Sequence, residues 1–291
     1  MPKNFHQHSL AILLTGFALV ALPSISYATH SWSSYHWART ANPFTLKIGD
    51  NLTSADWKSK LAQASLDWNN PQIFQTTSPL TTTIVTGSAP GKLCSMKTGT
   101  VQVCNSTYGN NGWLGLASIN ITAGIHITKG SAKMNDTYFN MPKYNNTNER
   151  LHVMCQEIAH AFGLDHQSTN GSSQNTCMDY FSNTGVNAGS TLSTKPNAHD
   201  FEQLNIIYTH LDSTTAVATS ALTASFAKQP DDTAEETDDP NKWGQLRSQS
   251  SNGRSSTYER FNKDGSQTLI HVYWTDEAVQ NCPRCDHRYD H

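Results

Sequence analysis

The 291-residue sequence lacks several features that mark large classes of proteins. It has no excess of charge of either sign, because its formal net charge is only −3, so nothing favours nucleic acid or an anionic membrane as a partner. It also has no apolar run of the roughly 20 residues that a membrane span needs, so we expect no membrane anchor. Its cysteine count is even at six, which leaves no obligatory unpaired thiol.

The first 28 residues have the pattern of a secretory signal peptide. Lys3 precedes an apolar run over residues 10–22, and Ser26 and Ala28 place small residues at the two positions that a signal peptidase reads. We therefore expect cleavage after Ala28 and a secreted, extracellular protein.

Export permits disulfides, and adjacency along the chain favours three particular pairs. Cys94 and Cys104 would close a hairpin, and Cys155 and Cys177 would join a helix to a downstream loop. The last pair is the Cys282–Cys285 CxxC. Other pairings stay open, since six cysteines allow many connectivities.

Strand patterns dominate the first part of the main region and helix patterns the later part, which predicts an α+β domain over residues 29–212. Predicted strands cover residues 44–48, 82–86, 101–103, 113–122 and 125–128, and predicted helices begin near residues 54, 147 and 198.

Three further segments follow this domain. Residues 213–240 are rich in Ser, Thr and Ala and then acidic, which predicts a disordered linker. Residues 241–278 carry turn signals between short strand-like runs and predict a small β module. Residues 279–291 form a tail that contains the CxxC.

Residues 155–166 differ at one ligand position from the zinc-protease pattern H-E-x-x-H-x-x-G-x-x-H, because Gln156 stands where the first histidine is expected. Four-residue spacing on a helix puts Gln156 and His160 one turn apart on one face, so both can reach one ion. Gly163 ends the helix in a left-handed turn that directs His166 to the same side. Glu157 lies beside these ligands as a candidate general base.

With this motif, the sequence resembles the metzincin clan of secreted zinc endopeptidases, and within it the matrixin-like members. Met178, in the segment Thr176-Cys177-Met178-Asp179-Tyr180, matches the methionine turn of that clan. Tyr180 matches a tyrosine that some members use as an extra metal ligand or oxyanion donor. Upstream, Gly115, Leu116 and Ala117 resemble the edge strand along which matrixins bind an extended substrate.

The resemblance implies a zincin-like fold with a twisted mixed sheet, an active-site helix and a C-terminal helix. It implies Zn²⁺ held by His160, His166 and Gln156, with Glu157 as general base toward a metal-activated water. The expected function is endopeptidase hydrolysis of peptide or protein substrates by a monomer.

Gln156 is the main departure from the family. Its amide oxygen is a weaker zinc donor than imidazole, which leaves three outcomes open. Gln156 binds the metal, Tyr180 or water completes a two-histidine site, or the site is degenerate. In the last case the protein is a catalytically inactive secreted relative that binds peptide or protein without cleaving it.

Overall fold

A computed structural model describes Met1 and residues 29–218, 238–282 and 285–286. The predicted signal peptide, most of the predicted linker and much of the CxxC tail lie outside these residues. Within the described part of the chain, every helix is too short or too polar to cross a membrane.

The described residues form nine strands and five α-helices, joined by short 3-10 turns. The strands are β1 His36–Trp37, β2 Phe44–Asp50, β3 Leu80–Thr86, β4 Thr100–Ser106, β5 Trp113–Thr122, β6 His126–Asn135, β7 Gln245–Gln249, β8 Ser255–Phe261 and β9 Gln267–Trp274. The helices are α1 Ala55–Trp68, α2 Asp136–Phe139, α3 Thr147–His160, α4 Ala198–Ile207 and α5 Asp276–Asn281.

All nine strands belong to one mixed sheet. Its order is β3-β2-β4-β6-β5-β9-β8-β7, and β1 pairs with the beginning of β6. Strands β1, β2, β3, β4 and β6 are mutually parallel. Strand β5 runs antiparallel to β6, and the remaining pairs, β5–β9, β9–β8 and β8–β7, are antiparallel. The chain is therefore a mixed α and β protein with one large sheet and few helices.

Helices α1 and α3 form where the sequence predicts them, because each has a capping side chain and an apolar face. Ser54 caps α1 by accepting a hydrogen bond from the amide of Trp57 at 3.2 Å. Asn146 caps α3 in the same way through Glu149, at 2.8 Å. The two helices pack on each other, and α3 also packs on β5 and β6.

The C-terminal strands differ from the predicted arrangement of a small separate module. They form within residues 241–278, but β9 pairs with β5 along its length and so extends the main sheet. One face of this extension contributes Tyr273 to the large core. Its other face forms a second core in which Trp243 and Trp274 pack with Trp113 of β5. Both faces of β5 carry apolar side chains, and burial of these side chains is favourable. This explains why the C-terminal strands join the main sheet.

Three disulfides are present, and they join the pairs that adjacency in the sequence favours. They are Cys94–Cys104, Cys155–Cys177 and Cys282–Cys285. The second of these ties α3 to the segment that carries Met178.

Candidate functional site: a buried cluster of three histidines

The end of α3 and the turn after it bring His160 and His166 together. Gly163 has a φ of 97°, and a Cβ atom there would lie 2.4 Å from the carbonyl oxygen of Tyr35. Only glycine fits this left-handed, crowded position. As a result the chain reverses just after His160, and the ring centroids of His160 and His166 lie 4.6 Å apart.

A third histidine comes from the C-terminal strands. His271 of β9 lies opposite Ala117 of β5 in the antiparallel register. Its ring centroid is 3.9 Å from that of His160 and 4.7 Å from that of His166. One ring nitrogen from each of the three histidines lies within 4.8 Å of the other two, which is close enough for one ion to reach all three.

The hydrogen bonds of these rings leave the same nitrogen free in each. The Nδ1 of His160 donates to the carbonyl oxygen of Leu164 at 2.8 Å. The Nδ1 of His166 lies 2.7 Å from the Tyr180 hydroxyl, and that of His271 lies 3.3 Å from Glu157 Oε2. All three Nε2 atoms are buried without a hydrogen-bond partner. A histidine that donates through one nitrogen and offers the other is the usual metal-ligand arrangement.

Burial keeps the three rings neutral, as metal binding requires. Desolvation lowers the pKa of His160 and of His166 well below the usual value, and the neighbouring imidazoles lower both further. Desolvation also lowers the pKa of His271 to about 3. A neutral imidazole with Nδ1 protonated presents an Nε2 lone pair, so three lone pairs meet in this cluster.

Glu157 is the carboxyl group of the cluster. It is fully buried, and desolvation raises its pKa to about 8, although His160 and His152 act in the opposite direction. Its Oε1 atom has no hydrogen-bond partner. A Cβ atom on Gly115 would lie 2.5 Å from this Oε1, so a glycine in β5 is what lets the strand approach the carboxyl group.

Gln156 is buried one helical turn before His160 and is held by backbone groups. Its Nε2 donates to the carbonyl oxygens of Cys177 and Asp179 at 2.8 and 2.9 Å. Its Oε1 is buried without a partner. The amide therefore holds the segment that carries Met178 against α3, and its binding of metal stays a prediction.

Met178 and Tyr180 lie in the segment that Gln156 holds, and both are buried in the large core. The Tyr180 ring stacks on His166 with centroids 4.1 Å apart, and its hydroxyl also contacts Ser255 of β8. Because this hydroxyl meets Nδ1 of His166, on the opposite side from the free Nε2, its observed role is to orient His166. A role as ligand or oxyanion donor stays a prediction.

The predicted substrate strand is not at an edge among the described residues. Gly115, Leu116 and Ala117 pair with β6 on one side and with β9 on the other. Gln156 and His160 of α3 are both fully buried. Strand β9 of the same chain pairs along the side of β5 that β6 does not occupy.

No family model matches this chain, and no curated protein matches it either.

Proposed function

We propose that this chain is a secreted, zinc-dependent endopeptidase of the metzincin-like kind, and that its own strand β9 keeps it latent. The observation that carries the proposal is the convergence of three buried, unpartnered Nε2 atoms beside the unpartnered Oε1 of Glu157. Buried polar atoms without partners are rare in folded proteins, so a group that binds all of them is expected.

The residues fit zinc. Three neutral imidazoles with protonated Nδ1 atoms are a known donor set for catalytic zinc, which keeps a fourth position for water or substrate. While β9 is paired with β5, the ion would be held by His160, His166 and His271. Bound there, zinc would supply Lewis acidity, polarising a scissile carbonyl and lowering the pKa of a water molecule.

Glu157 is suited to move the proton in this reaction. Burial raises its pKa to about 8 without a metal, and an ion held by the histidines beside it would lower that pKa and favour the carboxylate form that accepts a proton. Its Oε1 has no other partner, so a water molecule beside the cluster would be its natural hydrogen-bond donor. The carboxyl group would then deliver the proton to the leaving amine.

The sheet supports a zincin-like fold with its substrate strand covered. Antiparallel β5 lies at the end of the mainly parallel strands and packs on α3, which carries the motif. Extended peptides bind such a strand by adding main-chain hydrogen bonds, and β9 already makes this antiparallel pairing. Displacement of β9 would free the strand and remove His271. The unpartnered Oε1 of Gln156 would then take the place of the His271 nitrogen as a metal ligand.

A second candidate is a secreted protein that holds metal and does not cleave peptides. The complete burial of Glu157, His160 and His271, together with the pairing of β5 on both sides, favours it. In that case β9 is a permanent strand and His271 a permanent replacement for the histidine missing at position 156.

The experiment that separates the two loosens β9 without touching the histidines. Val272 is buried in the second core, so Val272→Asp places a charge there and weakens the docking of β9. Val186→Asp, at a fully exposed position, is the matched control. With zinc supplied and a broad peptide library as substrate, we expect Val272→Asp to cleave faster than the wild type and the control.

Addition of Glu157→Ala to Val272→Asp should abolish that cleavage. If Val272→Asp does not fold, the wild type in urea below its unfolding transition gives the same readout, because local opening precedes global unfolding. If neither Val272→Asp nor the wild type in urea cleaves any peptide, the peptidase is rejected and the metal-holding protein remains.

A further inference from the structure

A second group of histidines, which shares no residue with the first, surrounds Asp212. His36 of β1, His126 at the beginning of β6 and Asp212, which follows α4, bring their ligand atoms within 4.8 Å of one another. The Nε2 atoms of His36 and His126 lie 3.4 and 3.2 Å from Asp212 Oδ1. His210 adds a third ring, with Nε2 at 3.6 Å from the same oxygen and 3.2 Å from Nε2 of His36.

These separations match those of a metal site. Ligands that surround zinc tetrahedrally at about 2.0–2.1 Å are separated by about 3.3 Å from one another. The four distances given above lie close to that value, whereas His210 is not part of the group whose atoms all lie within 4.8 Å of one another and has to turn to complete the site. All four atoms are also the ones usually used, namely Nε2 of imidazoles and one oxygen of a carboxylate.

The hydrogen bonds around the group orient it for a cation. The Nδ1 of His36 donates to the carbonyl oxygen of Ser34 at 2.7 Å, so in the neutral ring its Nε2 carries a lone pair. That lone pair faces a carboxylate oxygen and another imidazole nitrogen, an arrangement that a cation between them stabilises. The other oxygen of Asp212 is fixed by the backbone amide and Nη1 of Arg39, at 3.1 and 3.0 Å.

We propose that His36, His126 and Asp212, with His210 as fourth ligand, form a second metal site that takes zinc or a similar transition-metal ion. Imidazole ligands favour such ions over calcium or magnesium, which prefer oxygen. His210 is half exposed, so its ring can turn to complete the coordination, and His36 and Asp212 are largely buried.

The position of the group indicates a structural role. An ion there would join the first strand, the beginning of β6 and the chain after α4, three segments that otherwise meet through hydrogen bonds such as that from the Asp212 amide to the Arg39 carbonyl oxygen. The site shares no residue with the three-histidine cluster, so it stands whether or not that cluster is catalytic. The metal-free alternative is a set of hydrogen bonds between the imidazoles and Asp212.

The test counts zinc ions per chain in the full-length protein after zinc loading and gel filtration. The double variant His126→Ala/His210→Ala removes two partly exposed ligands and keeps His36, Asp212 and the contacts of Arg39. His199→Ala is the matched control, a histidine of α4 that is paired with Glu202 and is not a proposed ligand of either cluster.

We expect two ions in the wild type and in the control, one ion in the double variant, and a zinc-dependent rise in Tm that is smaller in the double variant. One ion in the wild type and none in the double variant would support this site and count against the three-histidine cluster. Equal zinc content in the wild type and the double variant would overturn the proposal, and so would a second ion that binds only at millimolar zinc.

Discussion

His271 lies opposite Ala117 in the pairing of β9 with β5, and the same register places its ring 3.9 Å from that of His160. One strand therefore covers the predicted substrate-binding residues and completes the histidine cluster. The affinity for metal and the accessibility of β5 are therefore coupled, and each can be measured in a separate experiment.

Removal of the His271 imidazole should weaken zinc binding at the first cluster. In His271→Ala, two histidines remain, and we expect the dissociation constant for zinc to rise by about two orders of magnitude. Competition with a chromophoric chelator measures it, with His199→Ala as control. An unchanged affinity would show that His271 does not bind the metal.

Glu157→Ala should abolish peptide hydrolysis and leave the fold intact. Loss of a general base costs about 10²–10⁴-fold in rate, and a buried carboxyl group with a raised pKa stabilises the fold little. The rate is measured in the Val272→Asp background, where β9 is loosened, and a thermal melt reports stability. Glu202→Gln, on the surface of α4, is the control. Full activity in Glu157→Ala would remove the residue from the mechanism.

Gly115→Ala should destabilise the protein. The new methyl group would lie 2.5 Å from Glu157 Oε1 and 2.6 Å from Cγ1 of Val153, both in the packed interface of β5 and α3. Overpacking of this kind costs about 1–3 kcal/mol. Gly189→Ala is the control, since no atom lies within 4 Å of its added Cβ. Equal unfolding free energies for the two variants in urea would contradict the close approach of β5 to Glu157.

The metal-free protein should lose stability in acid. His271 has a pKa of about 3 when folded and an ordinary value of 6.5, so between these pH values the unfolded chain binds a proton that the folded chain does not. Its contribution is lost as pH falls below 6.5, and the pKa values of His160 and His166 are lowered in the same direction.

The pKa shift of Glu157 has the opposite effect on the pH dependence of stability. Its pKa rises from 4.5 to about 8 on folding, so its contribution is present below 4.5 and lost as pH rises through 8. Below pH 6.5 the three histidines destabilise the fold by more than the one carboxyl group stabilises it. The Tm of chelator-treated protein should therefore fall from pH 7 to pH 5. His271→Leu should reduce that fall, and a Tm that does not change with pH would contradict the burial of neutral rings.

Local signals in the sequence were sufficient for the elements that hold His160 and His166. Helices were predicted to begin near residues 54 and 147, and Gly163 was predicted to end the second of them, in agreement with α1 and α3. Such features depend on neighbours within one or two turns, so they can be read without knowledge of the tertiary fold.

The position of β9 could not be read in the same way. Alternating or apolar residues over 267–274 indicate a strand but do not specify which strand it pairs with. The sequence separation between His271 and the ligands of α3 follows no known metal-ligand pattern. The motif therefore predicted Gln156 as the third ligand. The signals available were the missing histidine at position 156 and the apolar residues Trp113 and Leu116 on the face of β5 that β9 and its neighbours cover.

The most direct test is X-ray absorption at the zinc edge on full-length protein that carries His126→Ala/His210→Ala, so that one ion per chain reports the first cluster. If His160, His166 and His271 share that ion, the spectrum contains the multiple-scattering signature of three imidazoles with Zn–N distances of about 2.0 Å. In His271→Ala on the same background the fit should fall to two imidazoles. A spectrum with no more than two imidazoles before that substitution, or one that His271→Ala leaves unchanged, would contradict the account.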